Sequence, residues 1–195
     1  MMQECNLTKI TKRVYIVGFI LTFLFFLLNI LLPYIIGFFE TGIIERKFIL
    51  IIDVIYEMYG ITCHQMPERS FHLFSIPMPL CVRCFGMALG TVTASVISLC
   101  RMPQGTLIEK TSTFFFLKKD TDHWWVIWIS FALLLPMGLD WGLQQISSYN
   151  SPEFMRLITG FMVGYLRGTI FLSLVATFFE HLDDKKKRMK LFERL

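Results

Sequence analysis

Four runs of apolar residues, at 15–39, 80–99, 123–145 and 154–179, constrain this chain more than any other feature. Crossing a hydrocarbon layer of ~30 Å takes about 20 mostly apolar residues, and each run is long enough. In lipid a backbone must satisfy its own hydrogen bonds, so runs of this kind read as helices. The expectation is an all-α membrane protein: a bundle of four transmembrane helices forming one integral membrane domain over residues 1–195, with no internal repeat and no soluble domain. Composition agrees, with 54% hydrophobic residues, 20 Phe and 17% charged residues, against about 25% charged in ordinary soluble domains.

Basic residues precede the first run, as they would in a secretory leader. That run, however, has 25 residues, against the ~7–15 of a leader's apolar region, and "PYIIGFFETG" beyond it offers no small-x-small cleavage pattern. It reads as an uncleaved anchor. A fifth apolar stretch, "FILIIDVIYEMYG" at 48–60, is short and carries Asp53 and Glu57. Four apart, these carboxylates share one helical face and would be costly in lipid. The stretch is therefore expected to form a helix in the outer interface or packed on the bundle.

The formal net charge of +4 does not point to nucleic acid, because the basic residues abut the apolar runs in three blocks: Lys9, Lys12 and Arg13; Lys118 and Lys119; and the "KKKRMK" tail. Short basic loops stay cytoplasmic. With four spans all three blocks fall on one side, which makes the chain a multi-pass protein of the cell membrane with cytoplasmic N- and C-termini. The tail at 180–195 reads as a charged helical end resting on anionic lipid. Segment 40–84 and the link "QISSYNSPE" then face outward. If 48–60 did span, the N-terminus would move outside, but everything after Gly60 would keep its side.

Three cysteines and two histidines crowd the outer stretch "ITCHQMPERSFHLFSIPMPLCVRC". Cys81 and Cys84 bring two sulfurs onto one turn, and Cys63 with His64 could complete a tetrahedral zinc-like site. His72 is a reserve ligand. The rival reading is redox: outer thiols meet oxidising conditions, and Cys81 or Cys84 at a helix start, with Arg83 between them, suits an activated thiolate in a membrane thiol–disulfide oxidoreductase. One unpaired outer cysteine would remain after any single disulfide, with Cys5 and Cys100 on the other side of the membrane. A simple staple from Cys63 to Cys81 or Cys84, or plain reduced burial, is the third reading.

A second constellation lies on the last two runs. Asp140 and Gln144 are spaced to share a face, and Arg156 opens the final run at the same depth, so Asp140 and Arg156 can meet as an ion pair between helices. Gln65, Arg69 and Arg83 join them as candidates for a polar cavity, with Glu68 at its rim. Arg167 sits eleven residues beyond Arg156, near mid-membrane, where an arginine is expensive and usually paired or functional. The set could hold an anionic lipid headgroup or a lipid-linked substrate, giving a transporter or lipid-headgroup binder as a further alternative. Gly160, Gly164 and Gly168 have the spacing of close helix packing. The cytoplasmic side shows no catalytic constellation.

"CHQMPERSF", "PLCVRCFGMALG", "LDWGLQ" and "NSPEFMRLITG" together resemble a prokaryotic integral membrane family classed as a domain of unknown function, with hallmarks C-H-Q followed by R-S, P-x-C-x-R-C-x-G, D-G-x-x-Q and R-x-x-T-G. The resemblance runs over roughly 63–164 and departs where Trp141 separates Asp140 from Gly142. It implies that these residues, with Ser70, Gly86, Asn150, Thr159 and Gly160, form a shared motif set around a buried polar site, and it supplies no activity. The leading expectation is a metal-binding membrane protein, Zn2+ being the natural ion, with ligands Cys63, His64, Cys81 and Cys84 beside the polar cavity at the extracytoplasmic face. Four ligands would close the site and make it structural; three would leave a position for a metal-bound water. The expected partners are the lipid bilayer and an anionic lipid or lipid-linked substrate, and not nucleic acid.

Overall fold

The computed structural model describes residues 2–40, 47–117, 122–147 and 149–192. Lys118, Lys119 and the side chains of Cys5 and Lys190 lie outside the described residues. The chain forms α1 (Met2–Glu40), α2 (Lys47–Gly60), a 3-10 turn (Pro67–Arg69), β1 (Ser70–Leu73), β2 (Ile76–Cys81), α3 (Val82–Arg101), α4 (Leu107–Phe114), α5 (His123–Ile146) and α6 (Glu153–Phe192). It is an all-α membrane bundle, and α1, α3, α5 and α6 contain the four stretches long and apolar enough to cross a membrane.

α1 and α5 turn most of their apolar side chains outward. Only 11% of the most apolar window of α1, and of α5, is buried inside the molecule, the inverse of a water-soluble bundle. Trp124, Trp125 and Trp128 at one end of α5 and Trp141 toward the other are all exposed. At 1.5 Å per residue, Trp124 and Trp141 stand about 25 Å apart along the axis, as two interfacial aromatic belts would.

The core is made where side chains are small. α3 and α6 form the tightest pair: a Cβ added to Gly90 would come within 2.2 Å of the Phe161 carbonyl oxygen, and one on Gly164 within 2.1 Å of that of Met87. Backbones this close need glycine on both helices, so Gly86 and Gly90 are the partners of Gly160 and Gly164. Thr91 adds a hydrogen bond from its hydroxyl to the Gly164 carbonyl at 3.1 Å.

At 14 residues α2 is about 21 Å long, short of the hydrocarbon thickness. It buries Ile52 and Tyr59 against α1 while Asp53 and Glu57 point outward. The Tyr59 hydroxyl donates to the Phe25 carbonyl at 2.7 Å and the Tyr56 hydroxyl to that of Pro77 at 2.8 Å. Several helix limits differ from the apolar runs, among them the start of α1, which lies at Met2. Leu80 and Cys81 end a strand, because Pro77 and Pro79 hold the chain extended until α3 can start at Val82. At the other terminus α6 continues unbroken from its apolar part into the charged tail.

The hairpin of β1 and β2 was not foreseen. It is antiparallel, with Ser70 opposite Cys81 and Leu73 opposite Ile76. Its two-residue loop is Phe74–Ser75, both with positive φ, 54° and 66°, the primed turn that matches strand twist. The hairpin is pinned to α1 by the Leu80 amide, which donates to fully buried Asn29 at 3.2 Å.

Candidate metal centre and arginine cavity

Cys63, Cys81 and Cys84 reach one point from three local structures. Cys63 closes the end of α2, its amide donating to the Tyr59 carbonyl at 3.0 Å. Cys81 ends β2 and is the N-cap of α3, and Cys84 lies in the first turn of α3. Their sulfurs all lie within 4.8 Å of one another. Thiolates around a tetrahedral zinc, at ~2.3 Å from the ion, stand about 3.8 Å apart, so the group has the right scale. A disulfide needs ~2.05 Å, and all three are free thiols.

The electrostatics favour negative sulfur. Cys63 Sγ accepts from the Gln65 amide at 3.4 Å and the Cys81 amide at 3.3 Å, the kind of outer contact that steadies a metal-bound thiolate. The Cys81 thiol is held well below its ordinary value by hydrogen bonds from the Cys63 and Cys84 thiols and by the Cys84 and Arg83 amides of the opening helix turn. The Cys63 thiol is pushed up, chiefly by its hydrogen bond to Cys81. Of these two thiols Cys81 is the one whose ionised form its surroundings favour, at a helix N-terminus where the macrodipole supports it.

His64 does not join this group; it is exposed, and among the described residues the cluster comprises the three cysteines. Consecutive residues at a turn point apart, and with Cys63 directed into the core His64 is directed out. Gln65, with φ of 48°, folds back so that its side-chain amide donates to the Tyr56 carbonyl at 2.6 Å and braces the turn. His72 is also outside the group.

Beside the sulfurs lies a cavity of about 390 Å³, bounded by the outer loop and by α3, α5 and α6. Arg69, Arg83, Arg156, Gln144, His64, Cys81 and Cys84 all line it, with Met137 and Trp141 on its apolar wall. Asp140 pairs with Arg83 rather than with Arg156. The reason is direction: Arg83, in the first turn of α3, faces α5, whereas Arg156 turns back onto the link before its own helix. There Arg156 Nε donates to Ser151 Oγ at 3.1 Å and its NH2 to Asn150 Oδ1. Gln144 connects the two halves, its Nε2 donating to Ser151 Oγ at 2.7 Å and to Asp140 Oδ2 at 3.2 Å. Ser151 was not singled out from sequence; its position just before Pro152 was the available signal.

Arg167 is not part of this cavity. It lines a separate space of about 50 Å³ with Thr62, Leu80 and Cys84, on the other side of Cys84. Eleven residues along α6 carry it some 16 Å from Arg156. Sequence reasoning also missed Lys110, which is fully buried and pairs with Glu180 at 2.5 Å at the far end of the bundle.

A family model described as "Predicted membrane protein (DUF2085)" matches residues 63–170, more than half of the chain. The chain belongs to that family. The matched part starts at Cys63 and takes in the other two cysteines, Arg83, Asp140, Arg156 and Arg167. The chain is also similar to an uncharacterised protein of Methanocaldococcus jannaschii, 33% identical over 176 residues that cover 90% of this chain and 99% of the relative. No solved structure matches.

Proposed function

We propose that this is a multi-pass membrane protein that holds a zinc-like metal ion through Cys63, Cys81 and Cys84 at the extracytoplasmic face. The observation that carries this reading is the convergence of three thiols within 4.8 Å, two of them opening a helix and the third receiving two backbone amides. The orientation rests on charge. Thr11 near the start of α1 donates to Glu180 of α6 at 2.6 Å, so the basic N-terminal block and the basic tail share one end of the bundle, which the positive-inside bias assigns to the cytoplasm. The sulfur cluster is at the other.

The three-ligand form is better supported than the closed four-ligand one. His64 is outside the sulfur group, and Cys81 and Cys84 both line the cavity that His64 also borders, so the fourth metal position would face that cavity and accept a solvent or substrate atom. The ion would act as a Lewis acid there.

The test is metal analysis and thiol titration of protein purified in detergent. About one zinc per chain is expected, retained in His64→Ala and lost in Cys81→Ser. Wild-type protein without metal and with a reducible disulfide would overturn the proposal in favour of thiol–disulfide exchange by Cys81 and Cys84, for which the stabilised Cys81 thiolate is the specific support. Loss of zinc in His64→Ala would restore the closed site.

A further inference from the structure

We infer that the cavity beside the sulfur cluster is a binding site for a phosphate group, gripped by Arg69, Arg83 and Arg156. The inference deepens the proposed function by naming the ligand class of the adjoining cavity, and its support is separate from the sulfurs.

Charge is the first argument. Three guanidinium groups line the cavity, and the carboxylate that reaches them is Asp140, already bound to Arg83. Three positive charges against one negative leave an excess of two. Counting the Cys81 thiolate as a second negative charge still leaves an excess of one. Arg156 is only 5% exposed, yet its named partners, Ser151 and Asn150, are neutral. A buried guanidinium held by neutral oxygens alone is costly unless an anion joins it.

Geometry is the second. The arginines come from three separate elements, the 3-10 turn, α3 and α6, and so approach the cavity from different directions. Arg83 Nε is buried with no hydrogen-bond partner among the described residues, a donor left over after the pair with Asp140. Several guanidinium forks around one space suit the multiple oxygens of a phosphate better than a single carboxylate, and the positive excess attracts its negative charge. A volume of about 390 Å³ accepts a phosphate with the group it is esterified to. Met87, Met137 and Trp141 supply an apolar wall along which a hydrocarbon substituent could run.

The phosphate can come from a lipid headgroup or from a soluble species, and the experiment separates them. Purified protein in a nonionic detergent is titrated calorimetrically with inorganic pyrophosphate in one arm and with dihexanoyl phosphatidate in the other. Binding in either arm supports the site and names its source, provided that Arg69→Gln and Arg156→Gln each weaken it about tenfold or more, the scale of one lost charge-assisted hydrogen bond, while Arg167→Gln leaves it unchanged. Arg69 is exposed, so its variant folds and keeps the test meaningful even if Arg156→Gln does not. Failure of both ligands to bind wild-type protein, or undiminished binding in Arg69→Gln, overturns the inference. Metal content is measured in the same samples. Phosphate binding by a metal-free wild type sinks the metal reading and leaves this one standing, and a metal-loaded protein that ignores both phosphates does the reverse.

Discussion

The two ends of the bundle each bury an ion pair, and they solve the same problem differently. At the end that the proposed orientation makes the inner one, Lys110 is fully buried and donates to Glu180 Oε2 at 2.5 Å and to Thr177 at 3.0 Å, while Thr11 gives Glu180 a further hydrogen bond at 2.6 Å. Charge there is balanced one to one. At the outer end Arg83 and Asp140 pair, but Arg83 Nε and Asp140 Oδ1 lack partners among the described residues, two further arginines are near, and a cavity adjoins them. A closed, satisfied pair locks α1, α4 and α6 together, whereas a pair with spare donors and excess charge beside a cavity is built to receive something.

Breaking the inner pair should therefore cost most. Glu180→Ala would leave a buried ammonium with one hydroxyl partner, and a loss of about 3–5 kcal/mol is expected, read as a lowered unfolding midpoint in detergent. Replacing both Lys110 and Glu180 by Met should recover most of that loss; if it does not, the inner pair is more than a lock. Asp140→Asn at the outer end should cost less, about 1–2 kcal/mol, because Arg83 retains 16% side-chain exposure and borders the cavity. The same change removes the cavity's counter-charge, so it should tighten phosphate binding, and weaker binding would contradict the contrast between the ends. Arg69→Gln, at an exposed position, should shift stability by no more than about 0.5 kcal/mol. A large shift there would make Arg69 a structural residue and blur the comparison.

Much of this was legible in the residues. The four apolar runs yield four helices because length and hydropathy alone set what can cross a bilayer. The glycine spacing on α6 pointed to close packing, though its partners Gly86 and Gly90 on α3 did not stand out. The hairpin escaped notice because Phe74–Ser75 occupies a turn where Asn-Gly is the usual signal. His64 shows the limit of reading ligands from neighbours: adjacency to Cys63 in sequence placed it near the sulfurs, but it borders the cavity beside them without joining their group. Asp140 shows the limit of spacing, which says which residues share a helix face and not which neighbouring helix that face meets.

What the chain determined by itself is its solvent and its inventory: apolar runs that only a membrane can accommodate, basic blocks beside them, and three thiols and several arginines in the segments between them. Tertiary structure alone decided how these are grouped. Helix azimuths and the close approach of α3 and α6 direct Arg83 to Asp140, turn Arg156 back to Ser151, put Arg167 on the far side of Cys84, and bring the three sulfurs to one edge of a cationic cavity. Those choices depend on packing between segments distant in sequence, which no local pattern encodes.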